Sequence, residues 1–129
     1  MLSEMKFMPS EQILSVKVTG VITYNEWEDI LRGLIRESAR WACFRYLIDY
    51  RSAELRLSLI DLYKRPETYQ MYGLDTRVRI GVTFPAGFTE GKFYELISLS
   101  RGYQVKVFDS TDPAIRWLTA DRSRQSVAL

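Results

Sequence analysis

Residues Phe44 to Tyr50 form a near-continuous apolar run that closes on Asp49-Tyr50-Arg51. A strand with one wet face alternates apolar and polar residues, whereas a strand covered by helices on both faces need not. The run therefore predicts a parallel strand buried on both faces. Parallel neighbours must be joined by crossovers of about a dozen residues or more, usually helical. The segments on either side supply them. Ile13 to Thr19 is β-branched and apolar at intervals and stops at Gly20, the pattern of a strand. Lys6 to Met8 is a weaker strand before Pro9-Ser10, and the two suggest an opening antiparallel hairpin.

Thr23 and Glu26 make a Thr-x-x-Glu capping box, followed by Trp27, Ile30, Leu31, Leu34 and Ile35 on one helical face, which predicts a helix over about 24–38. Ser58 and Asp61 repeat the capping logic for a second helix through Leu59, Leu62 and Tyr63. This helix is expected to pause at Arg65-Pro66, then continue briefly until Gly73 ends it. Val78 to Phe84 reads as a strand. A third helix follows over about 89–101, with Phe93, Leu96 and Ile97 inward. Gln104 to Phe108 is the last strand, and Asp112-Pro113 sets the N-cap and first turn of a final helix that turns Ala114, Ile115 and Leu118 inward. The order is β-β-α-β-α-β-α-β-α: an α/β fold with one mostly parallel sheet, an opening antiparallel hairpin, and helices packed on it. Residues 1–120 are expected to form one domain and 121–129 a polar tail.

Composition narrows the chemistry. A chain of 129 residues, 47 % of them hydrophobic, fills one core without disulfides or a structural metal. It has no histidine, which excludes a Ser-His or Cys-His nucleophile pair, an imidazole base and a His-ligated metal built from this chain alone. Cys43 is the single cysteine, so no internal disulfide or Cys-rich metal site can form. A net charge of +2 provides no strong field for polyanions. The longest run of apolar or aromatic residues, Trp41 to Phe44, is far shorter than the roughly 18 residues of a membrane span. Met1 to Lys6 does not resemble a secretory signal, and the chain reads as cytoplasmic.

Several motifs invite a functional reading. Gly87 to Phe93 sits where a phosphate loop would, but it has three residues between its glycines and Phe93 after Lys92, where such a loop needs four and a Ser or Thr. Arg32, Arg36 and Arg40 line one flank of the first helix, but Glu28 and Asp29 precede them at pairing distance, so no nucleic-acid interface is expected. Glu90 and Glu95 have the oxygen chemistry for magnesium, but their spacing does not require a metal, and none is assigned. Asp49 and Arg51 fall at the carboxyl end of a parallel strand, where α/β sheets place ligands, and Asp109 and Ser110 end the last strand; together they make a candidate ligand crevice. Seventeen aromatics exceed what one small core usually needs. Tyr63, Tyr69, Met71 and Tyr72 gather around Pro66 as a candidate self-association surface, suggesting a homodimer.

Over residues 10–120, Val16-Lys17-Val18-Thr19-Gly20, Tyr46-Leu47-Ile48-Asp49-Tyr50-Arg51, Arg101-Gly102-Tyr103, Val107-Phe108 and Ala114-Ile115-Arg116-Trp117-Leu118 together resemble the SpoIIAA-like proteins, bacterial relatives of the STAS domain found in anti-sigma-factor antagonists. The resemblance implies a non-catalytic regulatory or protein-interaction module without a cofactor. It also implies a phosphoacceptor Ser or Thr at the start of the second helix, which makes Ser58 a candidate. The antagonists' Asp-Ser-Ser-Gly type signature is missing, and Arg51 to Arg56 occupies the approach to the helix, so Ser52 or even Glu54 aligns with the acceptor as an alternative. The same group is similar to CRAL-TRIO lipid carriers, which gives a second reading, a module for a small apolar or lipidic ligand.

Overall fold

The computed structural model describes residues 1–120. Its strands, β1 (Leu2–Met8), β2 (Ile13–Ile22), β3 (Arg45–Leu55), β4 (Arg79–Thr83) and β5 (Gln104–Phe108), form one sheet in sequence order. β1 runs antiparallel to β2, and β2 to β5 are parallel. The helices are α1 (Tyr24–Trp41), α2 (Leu59–Met71), α3 (Gly91–Ser100) and α4 (Thr111–Thr119), in the expected order. The tail at 121–129 lies outside the described residues.

The apolar run of β3 has the expected cause. Tyr46, Ile48 and Tyr50 join the core beneath α1, α2 and α3, while Leu47, on the other side of the pleat, packs with Ile13, Ala114 and Leu118 beneath α4. Gly91 opens α3 close to the sheet: a Cβ there would stand 3.1 Å from the Phe84 ring and 3.3 Å from the Val107 side chain, which would have to give way to a larger residue.

The structure departs from the sequence reading at several boundaries. α2 does not pause at Pro66 but runs unbroken from Leu59 to Met71. Proline removes one backbone bond, and Leu62, Arg65, Pro66, Thr68 and Tyr69 are all buried, so packing holds the helix through the missing bond. Its end is as expected: Gly73 is left-handed at φ 73°, and the bonds Leu74 N to Tyr69 O (2.9 Å) and Gly73 N to Gln70 O (3.1 Å) make a Schellman motif. α1 runs on to Trp41 before Ala42 turns left-handed at φ 49°. α4 is capped at Ser110 rather than Asp112; Pro113 is its third residue, still within the first turn, whose N–H groups lack helical partners. Leu96, expected inward, is exposed, because Tyr94, Glu95 and Ser98 take the buried face of α3.

Arg65 joins the helical layers. Only 2 % exposed, it lays its guanidinium 3.9 Å from the Trp27 ring centroid of α1 and 5.4 Å from that of Tyr69. We predict that Arg65→Ala lowers stability by about 3 kcal/mol through the cavity and the lost cation–π contact. Arg65→Met, which keeps most of the volume, should lose less than half of that in urea unfolding. Equal losses would show that the charge, not the packing, holds α2 in place.

Candidate functional site

The carboxyl ends of the parallel strands carry the local irregularity that shapes the site. In β2 and β3 the register passes from Lys17 opposite Asp49 to Thr19 opposite Ser52, so Val18 faces both Tyr50 and Arg51. This β-bulge turns Tyr50 and Ala53 inward while leaving Arg51 and Ser52 exposed. Released from the alternation, Arg51 folds back on Asp49: its backbone N, Nε and Nη2 each donate to that carboxylate at 3.0 Å. Thr83 Oγ1 donates to Asp49 Oδ1 at 2.8 Å from β4. Partial burial alone would raise the Asp49 pKa, but the bonds from the Arg51 side chain and backbone and from Thr83 outweigh it and hold the carboxyl at about 2.

Asp109 and Ser110 do not join this cluster. β4 stands between β3 and β5, which separates the outer two by roughly 10 Å. Asp109 lines a different depression, of about 440 Å³, with Phe88, Lys92 and Pro113, and Ser110 is the N-cap position of α4. The expected single crevice is thus two places, and Asp49–Arg51 is a satisfied ion pair within one of them. Glu95 is also committed: its carboxylate accepts from Val107 N (2.9 Å) and Lys92 Nζ (3.1 Å), tying α3 to β5.

Ser58 stands at the exposed N-terminus of α2. Its Oγ accepts from Asp61 N at 3.1 Å, and Asp61 Oδ2 accepts from Ser58 N at 2.9 Å, a complete capping box. Ser52 and Glu54 are placed otherwise. Both lie in the far half of β3, past the last β4 pairing at Asp49, with exposed side chains on an extended backbone. Neither adjoins free helical N–H groups.

The four residues expected to form a self-association surface do not share one. Tyr69 lies six residues beyond Tyr63, about 120° around the helix. It is buried, with its hydroxyl bonded to that of Tyr94. Tyr72 donates to Glu28 Oε2 at 2.8 Å and packs beneath Arg32, while Met71, the last residue of α2, is exposed. Only Tyr63 belongs to a wider apolar surface, with Leu59 and Ile60 of α2 and Leu96 and Leu99 of the adjacent α3, and Arg101 stacks over its ring at 5.5 Å. Of the exposed large hydrophobic side chains among the described residues, about half are on these two helices. The sequence signal for this surface was the i, i+3 pairs Ile60/Tyr63 and Leu96/Leu99, which periodicity alone cannot assign to core or solvent.

Other aromatics fill the core. Trp27, Tyr94, Phe84 and Tyr50 make a chain of ring contacts at 5.5 to 5.9 Å between the helices and the sheet. No helix among the described residues is long and apolar enough to cross a membrane.

No family model matches the chain, and no curated protein matches its sequence. Solved structures do. One is an uncharacterized DUF3478-family protein with a SpoIIAA-like fold from Shewanella loihica PV-4, with a TM-score of 0.57 and 18 % identity, covering 90 % of this chain and 93 % of that one. A second is the anti-sigma factor antagonist SpoIIAA in its unphosphorylated form, with a TM-score of 0.51 and 12 % identity, covering 95 % and 98 %. The fold is SpoIIAA-like. In this SpoIIAA-like chain, the far end of β3 leads through Arg56 and Leu57 into the Ser58 cap, where the α2–α3 surface begins.

The depressed Asp49 pKa makes stability depend on pH in a defined direction. An unfolded Asp titrates near about 3.9, so the folded state binds fewer protons between there and about 2, and stability rises with pH across that window. Thermal melts of the wild type and Asp49→Asn are predicted to differ most above about pH 4 and to converge as pH falls toward 2. A constant difference across the range would place the Asp49 contribution elsewhere.

Proposed function

We propose that this chain is a regulatory protein-interaction module of bacterial cytoplasm with no catalytic role. The observation that carries the reading is the exposed apolar surface of α2 and α3, Leu59, Ile60, Tyr63, Leu96 and Leu99, beginning one residue after an exposed Ser at the α2 N-cap. Contiguous exposed apolar residues mark contact surfaces more often than isolated ones do, and a helix start beside them is a place where a small chemical change can alter binding. The similarity to an anti-sigma factor antagonist supports a protein partner for this surface. Asp49 is saturated by Arg51 and Thr83, which favours a structural role for that carboxylate over catalysis.

Ser58 is the phosphoacceptor in this proposal. A phosphate on its Oγ would meet the unpaired N–H groups and positive dipole end of α2, which favour an anion. It would also place roughly −1.5 to −2 charges beside the Asp61 carboxylate, which now accepts from Ser58 N, so the capping box must rearrange. Arg56, exposed and paired with the equally exposed Glu54 at 2.9 Å, is close enough in sequence to exchange that carboxylate for the phosphate. Ser52 lacks a helix N-terminus and is the weaker candidate.

A partner recovered with the protein from its native cells provides the test. Ile60→Asp and Leu96→Asp are predicted to weaken its binding at least about tenfold, as expected when a charge enters a desolvated contact. Ser58→Asp should alter binding by a similar factor, while Ser58→Ala keeps binding and costs about 1 kcal/mol of stability through the lost cap. Unchanged binding by Ile60→Asp and Leu96→Asp would remove the surface; unchanged binding by Ser58→Asp alone would remove the switch.

A further inference from the structure

β1 occupies one end of the sheet and pairs only with β2, so its outer edge carries no strand among the described residues. An unpaired edge seven residues long is a template for another strand unless the sequence blocks it. The usual blocks are missing here. The strand contains no proline, and α4, which packs on β3, β4 and β5, does not reach over β1. Its two charged residues, Glu4 and Lys6, are exposed, of opposite sign, and placed symmetrically on either side of the central residue Met5.

We propose that two copies of the chain join edge to edge through antiparallel β1 strands about a two-fold axis at Met5, forming one continuous sheet. The register follows from symmetry. A two-fold axis perpendicular to the sheet pairs residues of the same face, and centring it on Met5 matches the full length of the strand: Leu2 faces the partner's Met8, Ser3 its Phe7, Glu4 its Lys6, and Met5 its own copy. Both charges then find opposite charges directly across the junction. Moving the register by two residues either way sets Glu4 against Glu4 or Lys6 against Lys6 on the axis, which like-charge repulsion disfavours. Glu4 is already opposite Lys17 across β2, so the pairing completes a row of alternating sign, Lys17, Glu4 and the partner's Lys6.

The apolar residues agree with this register. Leu2 is 74 % exposed and gains Met8 as a neighbour. On the helical side Met5 reaches beneath Gly33 of α1 and Phe7 stacks on Trp41 at 4.4 Å, so Met5 meeting its copy extends an existing core across the axis. The opposite edge is less suited to full-length pairing with itself. β5 has five residues with Lys106 at its centre, and symmetric pairing would set that ammonium against its copy. An edge that pairs with itself beside one that does not gives a closed dimer, not a filament.

Sedimentation of the full chain, wild type and charge variants, tests this. The wild type should sediment as a concentration-dependent dimer. Glu4→Lys and Lys6→Glu should each raise the dissociation constant by about tenfold, since each puts like charges across the junction twice. The double variant E4K/K6E exchanges the signs and should recover wild-type dimerisation. Thermal melting of the monomer should barely change for Lys6→Glu, which faces Ser15 across β2, and should fall slightly for Glu4→Lys and the double variant, which set a lysine opposite Lys17. A wild type that stays monomeric throughout its soluble range, a double variant no better than the singles, or open-ended polymers would each overturn the proposal. Ile60→Asp should leave the dimer intact; a dimer lost with Ile60→Asp would assign self-association to α2 instead.

Discussion

The helical face of this protein is organised by a buried cation, Arg65, that rests on aromatic rings and not on a carboxylate. Arg65 projects from α2 into a setting of Trp27 from α1, Tyr69 from its own helix, Tyr94 from α3, and Tyr50 from β3. Burial pushes the phenols of Tyr50, Tyr69 and Tyr94 upward while the Arg65 charge pulls the other way, so these groups remain neutral and the cation is held by ring faces. Isolated, such a charge would be costly; its 3.9 Å approach to an indole offsets part of that cost once water is removed. The arrangement explains how α2 tolerates Pro66 next door and why its orientation is fixed. With Arg65, Pro66 and Tyr69 turned inward, Ile60 and Tyr63 must turn outward.

The second constraint is the β3 bulge. One extra residue opposite Val18 shifts the pairing by one, and β3 continues alongside β2 to Leu55, past the end of β4, before running into α2. The same irregularity creates the Arg51 fold-back that neutralises Asp49, and it accounts for Ser52 lying on exposed strand instead of at a helix start. Site geometry and fold are therefore one problem here. The bulge places the Ser58 cap, and the Arg65 anchor decides which side chains stand next to it.

Much of the fold was legible in the sequence because its strongest signals were local and mutually consistent. The two capping boxes fixed the starts of α1 and α2, Gly73 fixed an end, and the unbroken polarity pattern of Tyr46 to Tyr50 required helices on both faces of a parallel sheet. What was not legible depends on tertiary packing. Pro66 reads as a breaker until its neighbours are seen to be buried, Leu96 reads as core until Tyr94 is seen to fill it, and a bulge leaves no reliable mark on the polarity of Tyr50-Arg51-Ser52. At the candidate site, Ser58 was found by its capping logic, whereas Thr83 as a partner of Asp49 became visible only through the register of β3 and β4.

The central claim is that the α2–α3 surface, not another part of the sheet, faces the partner. Hydrogen exchange of the chain alone and bound to its recovered partner addresses this directly. The account predicts slowed exchange over the start of α2 and over α3, about residues 58–63 and 94–101, with little change at the amino ends of β3 and β4. Protection confined to those amino ends, with α2 and α3 unchanged, would contradict it.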